Sequence, residues 1–376
     1  MKNILFRDDK SLLGSNWYIL SKKLFIIPFI LSFIGILAIY SLIGTEYSIL
    51  LILKHIIFLS ISLGVLIFIS LLPKNNLRKF LNILSIFFIL LLLIVPIFGY
   101  EIKGATRWLS FNFISIQPSE LLKGPLICMF SWFCYLYTKT KNNFYLLLSF
   151  AILSTVIILL LLQPDIGTLL VYISIFSLIL ILYFRNLKLF ILLVFIGLFF
   201  LLIAYFSFDH VAYRIDNFLN GDNSQVSKSL SAIKTGGLFG VGLGEGQLKY
   251  SIPESHNDFI FAILIEEFGV LFGLFVAFLY PVFFIMVRRS ILSPSNLFIT
   301  NTIFSLCFLM CLQAFVNIGS SIKLIPPTGM TLPFISYGGS SMLSYAIIFG
   351  TVINFSKNEE STCLLYTSDA ADDSRS

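Results

Sequence analysis

The chain has 376 residues and a formal charge of +6, with 58% hydrophobic, 16% aromatic and only 12% charged residues, and a mean hydropathy of +0.96. No soluble domain of this length needs so much apolar surface. The basic residues are dispersed between apolar runs, a pattern of membrane topology and not of nucleic-acid binding. The composition points to an all-α polytopic membrane protein.

The N-terminal residues 1–23 are polar and basic, without a short apolar segment or a cleavage site, and read as a cytoplasmic leader. Ten spans follow, at about 24–43, 49–72, 79–99, 118–137, 144–162, 166–184, 187–206, 258–287, 297–318 and 338–355. The eighth is long and is expected to tilt or to extend past the bilayer. The connections alternate in basic content, fifteen Lys and Arg on one side against seven on the other, although the second side holds the longest loops. The positive-inside rule then puts both termini in the cytoplasm and the loops 100–117, 207–257 and 319–337 outside. Residues 24–355 form one transmembrane domain with a large outer loop, 207–257. Residues 356–376 form a cytoplasmic tail, whose 361–376 stretch reads as disordered or as translated non-native sequence.

The cysteines offer no framework. Cys128, Cys134, Cys307 and Cys311 lie in apolar runs and Cys363 in the tail; the i, i+4 pair Cys307/Cys311 has no His or further Cys nearby, so packing is the better reading than a metal site.

The polar residues that remain gather on the outer side. Arg107-Trp108 lies in the first outer loop, where a guanidinium beside an interfacial aromatic suits a phosphate head group. Gln117-Pro-Ser-Glu120 then opens a helix, with Gln117 or Ser119 as a cap and Pro118 in the first turn. Glu120 and Lys123 share one helical face at i, i+3; they either form a helix-starting ion pair or present Lys123 to a phosphate with Glu120 orienting it. Asp165, in the short turn Gln163-Pro-Asp165, is either a helix cap or a cavity carboxylate. In the large loop, Gly240-Val-Gly-Leu-Gly-Glu-Gly246 has no preceding strand and faces away from cytoplasmic nucleotides, so alternate glycines permit tight turns or close backbone approach to a ligand. The segment Pro253-Glu-Ser-His-Asn-Asp258 closes that loop at the start of an apolar run. Asp258 there is either a helix N-cap or, as an ionisable group at a membrane boundary, a functional residue. Glu266 and Glu267 follow two turns deeper, where a carboxylate needs a partner. Finally Pro326–Ser341 holds three Pro and three Gly in sixteen residues. It cannot be a regular helix and reads as a re-entrant element lining an outer cavity.

These blocks together resemble the SEDS family (shape, elongation, division and sporulation) of membrane glycosyltransferases. The segments that carry the resemblance are Gly104–Trp108 with Gln117–Glu120, Gln163–Asp165, Pro253–Gly269 and Pro326–Ser341, collinear over most of residues 24–355. The loop forms are closer to the division branch than to the elongation branch. Two positions depart from the family pattern: His256-Asn257-Asp258 stands for His-Thr-Asp, and Lys323 stands where a small residue is usual.

The resemblance implies Asp258 as the catalytic carboxylate and general base. Glu120, Lys123 and Asp165 fall on motif positions that line that family's outer cavity, and with them Arg107, Trp108, Gln117, Glu254, His256 and Ser336 are expected to bind substrate. The resemblance also implies inverting polymerisation of lipid II, an undecaprenyl-diphosphate-linked disaccharide peptide, at the septal inner membrane. The partners it implies are a class B penicillin-binding protein transpeptidase and other divisome proteins. No protein-only metal site is legible, and a divalent cation, Mg or Mn, remains an option for the diphosphate. From the residues alone, a lipid-precursor flippase or a non-enzymatic scaffold stays open beside this reading.

Overall fold

The computed structural model describes residues 22–42, 48–102, 105–111, 114–220, 224–291 and 296–357. Gly104, Lys103 and the tail beyond 357 lie outside them. A short 3₁₀ turn, Lys22–Phe25, leads into α1 (Ile26–Tyr40), followed by α2 (Ser48–Leu71) and α3 (Lys74–Phe98). Three short strands come next: β1 (Tyr100–Ile102), β2 (Ala105–Phe111) and β3 (Ile114–Ile116). They pair antiparallel in the order β1-β2-β3, with Glu101 opposite Thr106 and Ser110 opposite Ser115. The all-α expectation holds for the bundle, and this small sheet is an addition to it; β1 and β3, of three residues each, are too short to show an alternating pattern in sequence, and the seven residues of β2 do not alternate cleanly.

The helices continue as α4 (Pro118–Thr140), α5 (Asn143–Leu162), α6 (Ile166–Phe184), α7 (Leu187–Ser207), α8 (Asp209–Asn220), α9 (Ser224–Gly236), α10 (Ile260–Phe268), α11 (Val270–Ser290), α12 (Leu297–Ser321) and α13 (Gly339–Phe355). By length and composition, seven of the described helices are long and apolar enough to cross a membrane. An eighth span is made if α7 and the strongly amphipathic α8 (bent by 98°) are one broken unit. α4 and the shorter α13 fall outside that test. The count of ten is therefore not fixed by helix length. What is plain is a multi-pass membrane protein.

Two expectations for the eighth span are corrected. The helix does not begin at Asp258, which sits in a series of turns, and it is not continuous. It breaks at Gly269, φ 86°, where a Cβ would stand 2.2 Å from the Leu238 carbonyl oxygen. Only a glycine admits both that backbone conformation and that approach. α10 is consequently enclosed in protein, buried from Ile260 to Glu267, and α11 alone makes the crossing.

α13 packs against α2, α4 and α12, and α4 packs against α3, α5, α6 and α12, so these two helices form the bundle's interior. Asn354 fastens one end, its Nδ2 donating to the carbonyls of Ile69 (2.9 Å), Ser70 (3.1 Å) and Leu72 (2.6 Å). Lys74 Nζ donates to the Lys357 carbonyl 2.8 Å away at that same end, the one rich in basic connections. The polar residues of interest collect at the opposite end, which the charge bias places outward.

Candidate functional site at the outer end

Asp258 stands on a turn in which the amides of Asn257 and Asp258 both donate to the Glu254 carbonyl, at 3.0 and 3.1 Å. The turn is held from behind by the irregular segment 326–338. Tyr337 N donates to the His256 carbonyl (3.0 Å) and Ser336 Oγ donates to that of Asn257 (2.7 Å) while accepting from Leu332 N (2.8 Å). Asn317 Nδ2, from α12, bridges the Asp258 carbonyl (3.0 Å) and the Met330 carbonyl (2.7 Å). Two non-helical stretches thus satisfy one another's backbone groups, which is the condition for irregular chain at membrane depth. Met330, Leu332, Phe334 and Ile335 are buried, as the apolar character of this segment requires. At Gly329, φ 78°, an added Cβ would lie 3.8 Å from Asp258 Oδ2, so the carboxylate stands beside this segment. The His256 ring meets Tyr337 edge to face, centroids 5.7 Å apart. Burial lowers the His256 pKa below its ordinary value, with the Glu254 charge opposing.

Arg107, on β2, reaches across to the turn before α6. Its Nη2 donates to the Pro164 carbonyl, its Nε to the Gln163 carbonyl at 3.5 Å, and its Nη1 lies 3.6 Å from Asp165 Oδ1. Gln163 is itself tied to the Leu92 carbonyl at 3.0 Å. Asp165 also caps α6 through the Thr168 amide (3.5 Å) and accepts from Ser119 Oγ (3.4 Å). The capping reading of Asp165 is realised, and the same carboxylate also pairs with Arg107.

Between α6, α7, α8, α12 and residues 325–330 lies a cavity of about 410 Å³. Leu170, Val171, Leu201, Leu312, Val316 and Met330 give it hydrocarbon walls, and Arg107 and Arg214 supply its cations. Arg214 comes from the amphipathic α8 and interacts electrostatically with Arg107, Asp258, Glu254 and Asp165. Among the described residues no acceptor lies within hydrogen-bond reach of its guanidinium.

Other expected residues sit elsewhere. Lys123 does not face this cavity: it is 0% exposed, and its Nζ donates to Glu120 Oε1 at 2.6 Å beneath the site. A fully buried lysine on that bond is an internal ion pair, so the arrangement assigns it no phosphate. Glu120 is clamped there, its carbonyl accepting from Ser344 Oγ at 2.7 Å. Gln117 caps nothing with its side chain; its backbone N–H donates to the Ser340 hydroxyl at 3.0 Å. Ser336 is buried and its hydroxyl serves the turn described above. Trp108 is half-buried on β2 next to Arg107.

The glycine-rich loop approaches the protein's own helix and not a ligand. Val241 N and Gly242 N donate to the carbonyls of Glu266 (2.9 Å) and Glu267 (3.0 Å). A Cβ at Gly240 would stand 2.1 Å from the Glu267 carbonyl oxygen. Both buried carboxylates are satisfied: Glu266 accepts from Leu248 N (2.8 Å) and Lys249 N (3.0 Å), and Glu267 from Gly244 N and Lys249 Nζ (2.7 Å). Lys249 Nζ also donates to the Ser41 carbonyl at 2.6 Å, joining the loop to the end of α1.

With this geometry in view, the comparisons decide the lineage. The model of the cell cycle protein family FtsW/RodA/SpoVE matches residues 19–361. The chain belongs to that family. It is 30% identical over 359 residues to a Caulobacter vibrioides protein named "Probable peptidoglycan glycosyltransferase FtsW", covering 92% of each chain. A Coxiella burnetii protein of the same name is 32% identical over 82% of this chain and 86% of its own. The fold matches a solved chain from "Structural coordination of polymerization and crosslinking by a peptidoglycan synthase complex", with TM-score 0.72 and 20% identity over 90% of this chain and 97% of that one.

Two residues of this arrangement, Arg214 and Asn317, carried no distinguishing signal in the sequence. Arg214 was visible only as one of seven outer basic residues, yet the fold turns it into the cavity. Asn317 lay within an apolar run, and a lone Asn there is a signal of internal hydrogen bonding that its spacing alone cannot aim. Chemically, the assembled site offers three carboxylates, Asp165, Glu254 and Asp258, with two guanidinium groups and an apolar trough.

Proposed function

We propose that the chain is a glycosyltransferase that polymerises lipid II, joining a sugar hydroxyl of one lipid-diphosphate-linked disaccharide to the anomeric carbon of another. The observation that carries this reading is the cavity's make-up: hydrocarbon walls meeting two guanidinium groups, with Asp258 beside Met330. An amphiphile with a long apolar tail and a diphosphate head fits such a surface, since guanidinium groups match phosphate oxygens in pairs. The relatives named peptidoglycan glycosyltransferase support the same chemistry.

Asp258 serves as the general base, taking the acceptor hydroxyl proton as that oxygen bonds to the anomeric carbon. The bond from that carbon to the diphosphate breaks in the same displacement, inverting the centre. Diphosphate is already a good leaving group, so no second carboxylate is needed as an acid, unlike in glycoside hydrolysis. Arg107 and Arg214 stabilise the charge on the departing group. Among the described residues no group of three or more His, Cys, Asp and Glu is placed to hold a metal. A divalent cation would travel with the diphosphate, as Mg²⁺ does when it keeps most of its waters.

The expected setting is the bacterial cytoplasmic membrane at the division septum, with the site outward. The expected partners are a class B penicillin-binding protein transpeptidase and other divisome proteins. The test is reconstitution of the purified chain in liposomes with labelled lipid II, with and without the transpeptidase. Glycan polymer that disappears in Asp258→Asn supports the reading. Translocated lipid without polymer identifies a transporter and overturns it.

A further inference from the structure

The glycine-rich loop carries an apolar tip that neither the site nor the bundle uses. Leu238 is 62% exposed and Phe239 80%, and Val241 and Leu243 are exposed beside them. Four apolar side chains in water at the end of an ordered loop would be a liability, unless they meet something apolar.

Their position says what they meet. Val270 N donates to the Gly237 carbonyl at 2.9 Å and Leu271 N to the Leu238 carbonyl at 3.4 Å, so the tip is bonded to the first residues of α11. The 21 residues of α11, at about 1.5 Å each, reach ~30 Å, the thickness of a hydrocarbon core. Arg288 and Arg289 in its last turn mark the inner boundary, so Val270 and Leu271 stand at the outer one. Leu271, Leu274, Phe275, Phe278, Val282 and Ile285 form an exposed stripe along α11 at helical spacing. That stripe is the lipid-facing surface of the span, and the tip continues it at its upper end.

We propose that residues 238–243 insert into the outer leaflet, as an interfacial anchor that grips acyl chains at the glycerol level. Lys234, exposed in the last turn of α9, stands at the adjoining head-group level, where anionic phospholipid favours it. The insertion has a mechanical consequence. The tip is laced to the C-terminal end of α10, whose N-terminal end follows Asp258, so the grip fixes the depth of that carboxylate relative to the bilayer. The inference stands apart from the proposed chemistry, because it depends only on where the span begins.

The test is nitroxide labelling of Phe239→Cys and, separately, Leu238→Cys in the full chain. Cys311 and Cys363 are replaced by Ser, the other three cysteines being buried. The protein is reconstituted in phosphatidylethanolamine and phosphatidylglycerol vesicles, with Leu271→Cys as lipid reference and the exposed Lys228→Cys, further from the tip along α9, as aqueous reference. The expected result is a ratio of oxygen to Ni-EDDA collision rates at 239 and 238 shifted to that at 271. Ratios at both positions equal to that at 228 would place the tip in water and overturn the anchor, whether its true neighbour is solvent or another protein.

Discussion

Replacing Arg214 by Gln tests the cavity assignment most directly. Arg107 is spent partly on the protein, bonded to two carbonyls and close to Asp165, whereas Arg214 meets no acceptor among the described residues. Its guanidinium can thus donate to a ligand, and what its removal takes from the protein is Coulombic attraction to Asp165, Glu254 and Asp258. A hydrogen bond to a charged group contributes about 1.5–3 kcal/mol, which corresponds to a fall of roughly 10- to 150-fold in kcat/KM for polymerisation. Thermal stability should change much less than activity, because Arg214→Gln keeps a polar side chain on the amphipathic face of α8. Arg107→Gln is expected to cost both activity and stability, since it releases the loop before α6. The assay is polymerisation of labelled lipid II in liposomes at several substrate concentrations, beside melting curves of the same samples. An unchanged kcat/KM for Arg214→Gln would refute the reasoning, because it would leave the cavity with only the arginine already engaged.

Asp258→Asn removes the base while keeping the turn's backbone hydrogen bonds, which run through this residue's carbonyl and amide. Turnover is expected to fall by about 10²–10⁴ with an unaltered melting temperature, and a melting drop as large as the activity loss would point to a structural role. Lys249→Met and Glu267→Gln each break a pair whose side chains are both fully buried. Each single change should destabilise by about 3–5 kcal/mol, and the double variant by less than their sum. Additive losses in denaturation would show that the two groups act independently. His256 has a folded-state pKa below its ordinary 6.5, so its contribution to stability is complete above that value and is lost as pH falls below it. The wild type should therefore lose more melting temperature than His256→Gln between about pH 7.5 and about pH 5. Equal losses would remove His256 from the account.

Most of the bundle was legible because apolar runs of about 20 residues have one physical use. The outer clustering of polar groups was legible for the same reason: in so apolar a chain a carboxylate at a boundary is conspicuous. What escaped was direction. Lys123 and Arg214 look alike as sequence positions, yet one is sealed under α13's packing and the other opens on the trough. Only the bend between α7 and α8 decides the second. The break at Gly269 was hidden because Glu266-Glu267 continues a helical pattern; the interruption comes from Leu238, some thirty positions earlier, occupying the space of a side chain. The glycine loop showed its need for close approach but not the identity of the approaching surface.

The electrostatics of the assembled site lead to one further expectation. Around Arg214 the formal charges are two positive, Arg107 and Arg214, and three negative, Asp165, Glu254 and Asp258. An incoming diphosphate adds more negative charge to a cavity whose walls are hydrocarbon, where opposite charges attract strongly and uncompensated ones are costly. The arginines alone leave that sum negative. A divalent cation arriving on the diphosphate brings it back toward balance without any dedicated protein cage, in keeping with the oxygen-rich, loosely held sites that Mg²⁺ occupies on substrate phosphates. Polymerisation should accordingly fall on chelation and return with added Mg²⁺ or Mn²⁺. Full activity in excess chelator would mean that Arg107 and Arg214 neutralise the leaving group by themselves.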